Sequence, residues 1–326
     1  MKVVGLAMAA LLVHVASLAA ETGERPLTRE EIAAGVFILR SPRLAATLMV
    51  PDEAASPYDG VRFESGGTVT QVTLDGRHTF IGSEGLTNRR GGIGLMGELG
   101  ILAAIGYEDA RPGDRFLKPG VGLLLRDDDP KYRFWIPYPV ALRLRWQVSV
   151  GPLAATFVQV CGPFRGTAYR YTKRVVLDPA LPVLRIESTL ANIGDDPITT
   201  DHYCHNFLRF DDAPPGPDYV LSADFPWKVK EGACPYAVAE REVRLKEAVA
   251  KDALYARFVN QDAAARSHTL TVRHAGNGRE LVIRGNFPAL YFAYYVDRFA
   301  LSPEAFCSIR VAPGATFQWT RTYEFK

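Results

Sequence analysis

What the chain lacks narrows its class. It has no CxxC pair, and its four cysteines, Cys161, Cys204, Cys234 and Cys307, are widely spaced, which argues against a zinc site. It has no long basic run, and 38 Lys and Arg against 36 Asp and Glu leave a net charge of +2, so no nucleic-acid partner is expected. No short-period repeat, low-complexity tract or interdomain linker interrupts residues 21–326, which therefore read as one large domain. Helical patterns are scarce too. Thr28 in TREEI offers a helix start, and residues 240–256 are the only longer stretch that reads as helix, ambiguously at VRLKEAVA.

Residues 1–20 differ in kind from the rest. Lys2 precedes a short apolar run, and Ser17-Leu18-Ala19 supplies the small-x-small pattern of a cleavage site after Ala19. This predicts a secretory signal peptide, with an anchored N-terminal helix as the alternative. The run is short for a membrane span and has no flanking basic stop signal, so a secreted or periplasmic protein with no membrane attachment after signal removal is expected. An oxidising compartment would permit disulfides, in any of three pairings, while buried thiols fit equally well.

Elsewhere the sequence speaks in strands. TVTQVTL (68–74), ALRLRWQVSV (141–150), TAYRYTKRVVL (167–177) and VLRIESTLANI (183–193) alternate side chains with period two, as strands buried on one face do. Asp75-Gly76 between two such runs predicts a tight hairpin. The C-terminal runs HTLTVRH, ELVIRG, ALYFAYYV, CSIRVA and TFQWTRTYEF continue the pattern. Many antiparallel strands without a seam predict an all-β fold of two large, mostly antiparallel sheets.

Three segments, in order, carry a resemblance: residues 89–126 with the run GGIGLMGELG, residues 191–211 (ANIGDDPITTDHYCHNFLRFD) and residues 300–325 (ALSPEAFCSIRVAPGATFQWTRTYEF). Together they resemble the galactose mutarotase-like (aldose 1-epimerase) superfamily, and an exported bacterial branch of it in particular. Residues 58–82 resemble the opening strands of that branch. The resemblance spans nearly the whole of residues 21–326. It implies a β-supersandwich that binds a mono- or oligosaccharide in a groove across one sheet. The glycine run is not a phosphate loop, because it lacks the Lys-(Ser/Thr) ending.

Interconverting anomers opens a hemiacetal: an acid protonates the ring oxygen while a base takes the anomeric hydroxyl proton. The reaction needs neither metal nor cofactor, and a histidine with a glutamate suffices. The resemblance puts the base at Glu304, with an exposed turn carboxylate as the alternative. For the acid, His202 and His205 compete. Three residues apart on a strand, they point to opposite faces. The Thr-x-His pattern of the sugar mutarotases favours His202; the longer match through Tyr203, Asn206 and Phe207 favours His205, which is preferred. A metal site on the two histidines has only Asp201 as further support.

Arg90 and Glu98, in the glycine run, are the next binding candidates, with an internal Arg–Glu pair as the alternative. Arg62 and Lys173 come from strands that would line a groove, as would Tyr203 and Asn206 beside the histidines. Two features depart from the sugar mutarotases: no histidine falls between Arg90 and His202, and the usual aspartate motif for hydroxyl recognition is missing. The expected function is thus aldose 1-epimerase-like acid/base catalysis. Lyase or glycosidase action in the same groove, or non-catalytic carbohydrate binding, are the alternatives.

Overall fold

The computed structural model describes residues 23–326 apart from 53, 83–88, 233–235, 250–251 and 263–264. The expected signal peptide therefore lies outside the described residues. What is described is 53% strand and 3% helix, which fixes the all-β class. Two large antiparallel sheets, of eleven and ten strands, face each other, and a three-stranded sheet lies beside them.

The alternation read from the sequence is the alternation of burial. In the strand Val183–Asn192 every second residue is buried, from Leu184 through Ile186, Ser188 and Leu190 to Asn192. Its partner Thr167–Leu177 buries Tyr169, Tyr171, Lys173 and Val175 on the same inner face. These meet Leu48, Val72, Leu95 and Leu99 of the ten-stranded sheet in one continuous apolar core. Area removed from water on this scale is the main favourable contribution to folding.

The predicted hairpin forms. Asp75 and Gly76 both have positive φ, 52° and 67°, and the strand Val69–Leu74 folds back onto His78–Thr79. A tight turn of this hand matches the twist of the strands it joins. The predicted helix start also forms: Thr28 caps Arg29–Ala34, and Glu31 completes a capping box.

The reading of residues 240–256 as helix is overturned. Glu242–Leu245 and Leu254–Asn260 are strands, and they belong to different sheets. Val243 and Leu245 are buried with Arg244 exposed between them, so the period is two, and pairing with Tyr219–Ala223 fixes it. Cys161, Cys204 and Cys307 are buried free thiols. Cys234 lies outside the described residues. None of the described helices is long and apolar enough to cross a membrane.

Candidate active site

In the ten-stranded sheet the strand Ile198–Asn206 runs between Leu95–Leu99 and Leu301–Val311. The pleat sends its side chains alternately inward, toward the other sheet, and outward. Tyr203 lies opposite Glu98 and His205 opposite Met96. Tyr203, His205, Glu98 and Glu304 share the outer face, while His202, Cys204 and Asn206 point inward.

The outer face joins two groups. In the first, Glu98 is fully buried and saturated with donors. Lys118 Nζ donates to it at 2.7 Å, Tyr203 Oη at 2.8 Å and Arg62 Nε at 3.1 Å. Arg62 also donates from Nη2 to Tyr203 Oη at 2.8 Å. An Arg–Glu pair does hold Glu98, formed by Arg62. Tyr203 stacks on Phe306 at 4.5 Å and Phe306 on Tyr291 at 4.1 Å, and the Arg257 guanidinium lies 3.8 Å from the Tyr291 ring centre. This ladder of rings crosses three strands and fixes the floor on which the charged groups stand.

The second group is the expected catalytic pair. His205 Nε2 lies 3.5 Å from Glu304 Oε1, and each side chain is 5% exposed. Ser302, two residues before Glu304 and on the same face, donates to Glu304 Oε1 at 2.9 Å and accepts from the Asn206 amide at 2.8 Å. Burial pushes the Glu304 carboxyl up to about 8, against smaller lowering effects of the Ser302 bond and Arg62. Burial likewise drives His205 well below the usual histidine range, and the Arg62 charge adds to this. The histidine ring stacks on Phe207 at 4.0 Å with Tyr295 at 5.2 Å, and its Nδ1 is buried without a hydrogen-bond partner among the described residues. At neutral pH the glutamate therefore holds its proton and the histidine is neutral. Around the pair, Arg62, Phe207, Tyr255 and Tyr295 keep part of their surface in solvent.

Three of the expected groove residues lie elsewhere. Lys173 is buried between the sheets, where its Nζ donates to Glu64 at 2.8 Å. His202 joins the same carboxylate through Nε2 at 3.3 Å and takes a hydrogen bond from Arg321 on Nδ1 at 3.1 Å. Arg321 can only donate, so Nδ1 is an acceptor and the His202 proton sits on Nε2, facing Glu64. Burial and the Arg321 charge hold His202 down at about 4. Burial alone would raise the Glu64 carboxyl, but Lys173 and His202 outweigh it and hold it at about 2. Asn206 is tied to the Pro303 carbonyl at 2.6 Å and to Tyr323 at 3.1 Å. All three contribute to the sandwich interior and not to a groove, because the strand's pleat turns them inward.

Arg90 stands apart from the pair, 73% exposed at the side chain and 3.9 Å from Asp59. It lines a separate cavity that it shares with Arg62. Lys118, Ser302, Arg257, Glu64 and Arg321 were not anticipated. Ser302 was within reach of sequence reasoning, since a residue two positions from Glu304 on a strand shares its face. Glu64 was not, because it reaches the interior from a loop. Its carboxylate fits against Gly97, where any Cβ would collide with it.

No family model matches the chain, and no curated protein does. Solved structures do. A candidate aldose 1-epimerase from Escherichia coli K12 superposes with a TM-score of 0.58 at 11% identity, covering 89% of this chain and 98% of that one. A galactose mutarotase-like protein from Clostridium acetobutylicum gives 0.56 at 10% identity over 89% and 95% of the two chains. One from Lactobacillus casei gives 0.55 at 13% over 90% and 100%. The chain has the galactose mutarotase-like fold. In this mutarotase-like sandwich the outer face of the ten-stranded sheet carries the polar groups just described. At these identities the likeness speaks for the architecture, and chemistry must be argued from the side chains.

Proposed function

We propose that this mutarotase-like protein binds a sugar over the outer face of the ten-stranded sheet and interconverts its anomers by acid/base catalysis. The observation that carries this reading is the contact between Glu304, a carboxyl poised near 8, and His205, a neutral imidazole. A proton donor and a proton acceptor side by side are what hemiacetal opening requires.

The raised Glu304 carboxyl and the lowered His205 support roles opposite to those expected from the sequence. Glu304 delivers a proton to the ring oxygen, and His205 takes one from the anomeric hydroxyl. The two groups lie in contact, 3.5 Å apart. Contact is compatible with the reaction because the ring oxygen and the anomeric hydroxyl are bonded to the same carbon. Once the ring is open, rotation of the carbonyl and reclosure by the reverse transfers give the other anomer. Arg62, held by Glu98 and Tyr203, supplies hydrogen bonds to sugar hydroxyls at a fixed position. A carbohydrate ligand and export by way of residues 1–20 belong to this same reading. The apolar run and its small-residue cleavage pattern support export.

The test is the rate of α/β exchange, followed by magnetisation transfer, for a panel of hexoses, pentoses and uronates. Acceleration of at least one sugar over buffer is expected; uncatalysed rates throughout would sink the reading. A second reading, a lyase, draws on Arg62 beside the neutral His205, since elimination needs a base and a neutralised carboxylate. New ultraviolet absorbance on incubation with uronate polymers would favour it.

A further inference from the structure

Arg62, whose charge acts on Glu304, also lines a cavity of about 410 Å3, walled by residues 59–62, 90–91, 135–140 and Arg143. Small-ligand sites commonly enclose roughly 300–1,000 Å3. Its charge is unlike that of the chain as a whole. The full sequence is nearly balanced at +2, yet among the described residues the lining of this cavity carries three guanidiniums, of Arg62, Arg90 and Arg143, with the Asp59 carboxylate, and Arg62 is also paired with Glu98.

Two of the arginines are held by hydrogen bonds. Arg143 donates to the carbonyls of Gly60 and Asp59 at 3.2 and 3.1 Å, which holds the loop that carries Arg62. Arg62 belongs to both places: it lines the cavity, bonds Glu98 and Tyr203, and lowers the Glu304 carboxyl by its charge. Phe134 lies over it, 4.6 Å from ring centre to guanidinium carbon. Arg90 lines the cavity with its side chain 73% exposed, 3.9 Å from Asp59. On the same wall Trp135 keeps 55% of its surface in solvent, with Phe134 at its edge and the Arg133 guanidinium 5.8 Å from its ring centre, and sugar rings commonly stack on exposed aromatic rings of this kind.

We propose that this cavity is a subsite for a carboxylate-bearing sugar, so that the ligand is an acidic glycan with a hexuronate in the cavity and its neighbouring ring over Glu304 and His205. A guanidinium fork matches a carboxylate with two parallel hydrogen bonds, and Trp135 receives the apolar face of the ring. The inference rests on the outer face being a sugar site, but not on its turning sugars over.

The test is binding, by calorimetry, of trigalacturonate, of its neutral carboxyl-reduced form and of galactose 6-phosphate. The wild-type protein is expected to bind trigalacturonate about tenfold or more tightly than the neutral trisaccharide, with the preference shrinking as salt rises. In Arg90→Gln that preference should fall several-fold, and Trp135→Ala should weaken both trisaccharides. Equal affinity for the acidic and neutral trisaccharides, or a preference for the phosphate over the uronate, overturns the proposal. The wild-type comparison stands even if a variant fails to fold. Uronate binding without anomer exchange would retire the epimerase reading and keep this one; exchange of neutral sugars without uronate preference would do the reverse.

Discussion

The two sides of one strand, Ile198–Asn206, hold two histidine–glutamate pairs of opposite character. Inside, His202 meets a Glu64 carboxylate that also receives Lys173 and Tyr171, so the charge is compensated and the carboxyl sits at about 2. Outside, Glu304 lies 3.5 Å from His205 and accepts a hydrogen bond from Ser302, and burial lifts it to about 8. The residue types are the same and the burial is similar. What differs is the supply of donors and cations: three donors converging on Glu64 Oε1, a lysine among them, yield a structural ion cluster, while scarcity leaves a proton poised for transfer.

The largest expected effect separates the two pairs by activity. Glu304→Gln keeps the shape of the outer pair but cannot cycle a proton, and exchange rates should drop roughly 100- to 10,000-fold. The fold should survive, as judged by an unchanged far-ultraviolet circular dichroism spectrum. An active Glu304→Gln protein would erase the distinction between the faces.

Next in size is the inner pair. Glu64→Gln leaves Lys173 buried without a countercharge, a defect that typically costs about 3–5 kcal/mol. Urea unfolding should register it as a lower midpoint at unchanged slope. A loss below about 1 kcal/mol would mean that the inner cluster is dispensable.

Smallest over any one pH unit is the effect of titration. Glu304 has its folded pKa raised from 4.5 to about 8, so between those values the folded protein holds one proton more than the unfolded chain. Its contribution to stability is complete below 4.5 and is lost as pH rises through about 8, by roughly 1.4 kcal/mol per pH unit in between. Glu64 behaves oppositely. Its contribution is present above its ordinary 4.5 and disappears as pH falls through about 2. The stability difference between wild type and Glu304→Gln, measured by urea unfolding, should therefore grow in favour of the variant as pH rises across the upper window. A difference independent of pH would refute the raised carboxyl.

Much of the fold was legible because strand periodicity is local. Alternation at 167–177 and 183–193, the Asp75-Gly76 turn and the cap at Thr28 each needed only neighbouring residues. The stretch 240–256 misled for the same reason: VRL fits either period, and its pairing with Tyr219–Ala223 comes from more than 20 positions away. Of the site, opposite orientation of His202 and His205 followed from their spacing of three. Assigning Lys173 and Asn206 to the groove failed because spacing says which residues share a face without saying which face is inward.

By itself the sequence determined the alternating strands, the turns that separate them, and the segregation of His202 from His205, since these depend on chemistry a few bonds apart. Only the tertiary structure decided which histidine meets which glutamate, and which carboxyl keeps its proton. Those outcomes depend on how many donors and charges converge on a carboxylate once water is removed, and the residues that converge, from Glu64 to Arg321, are brought together only when the sheets close.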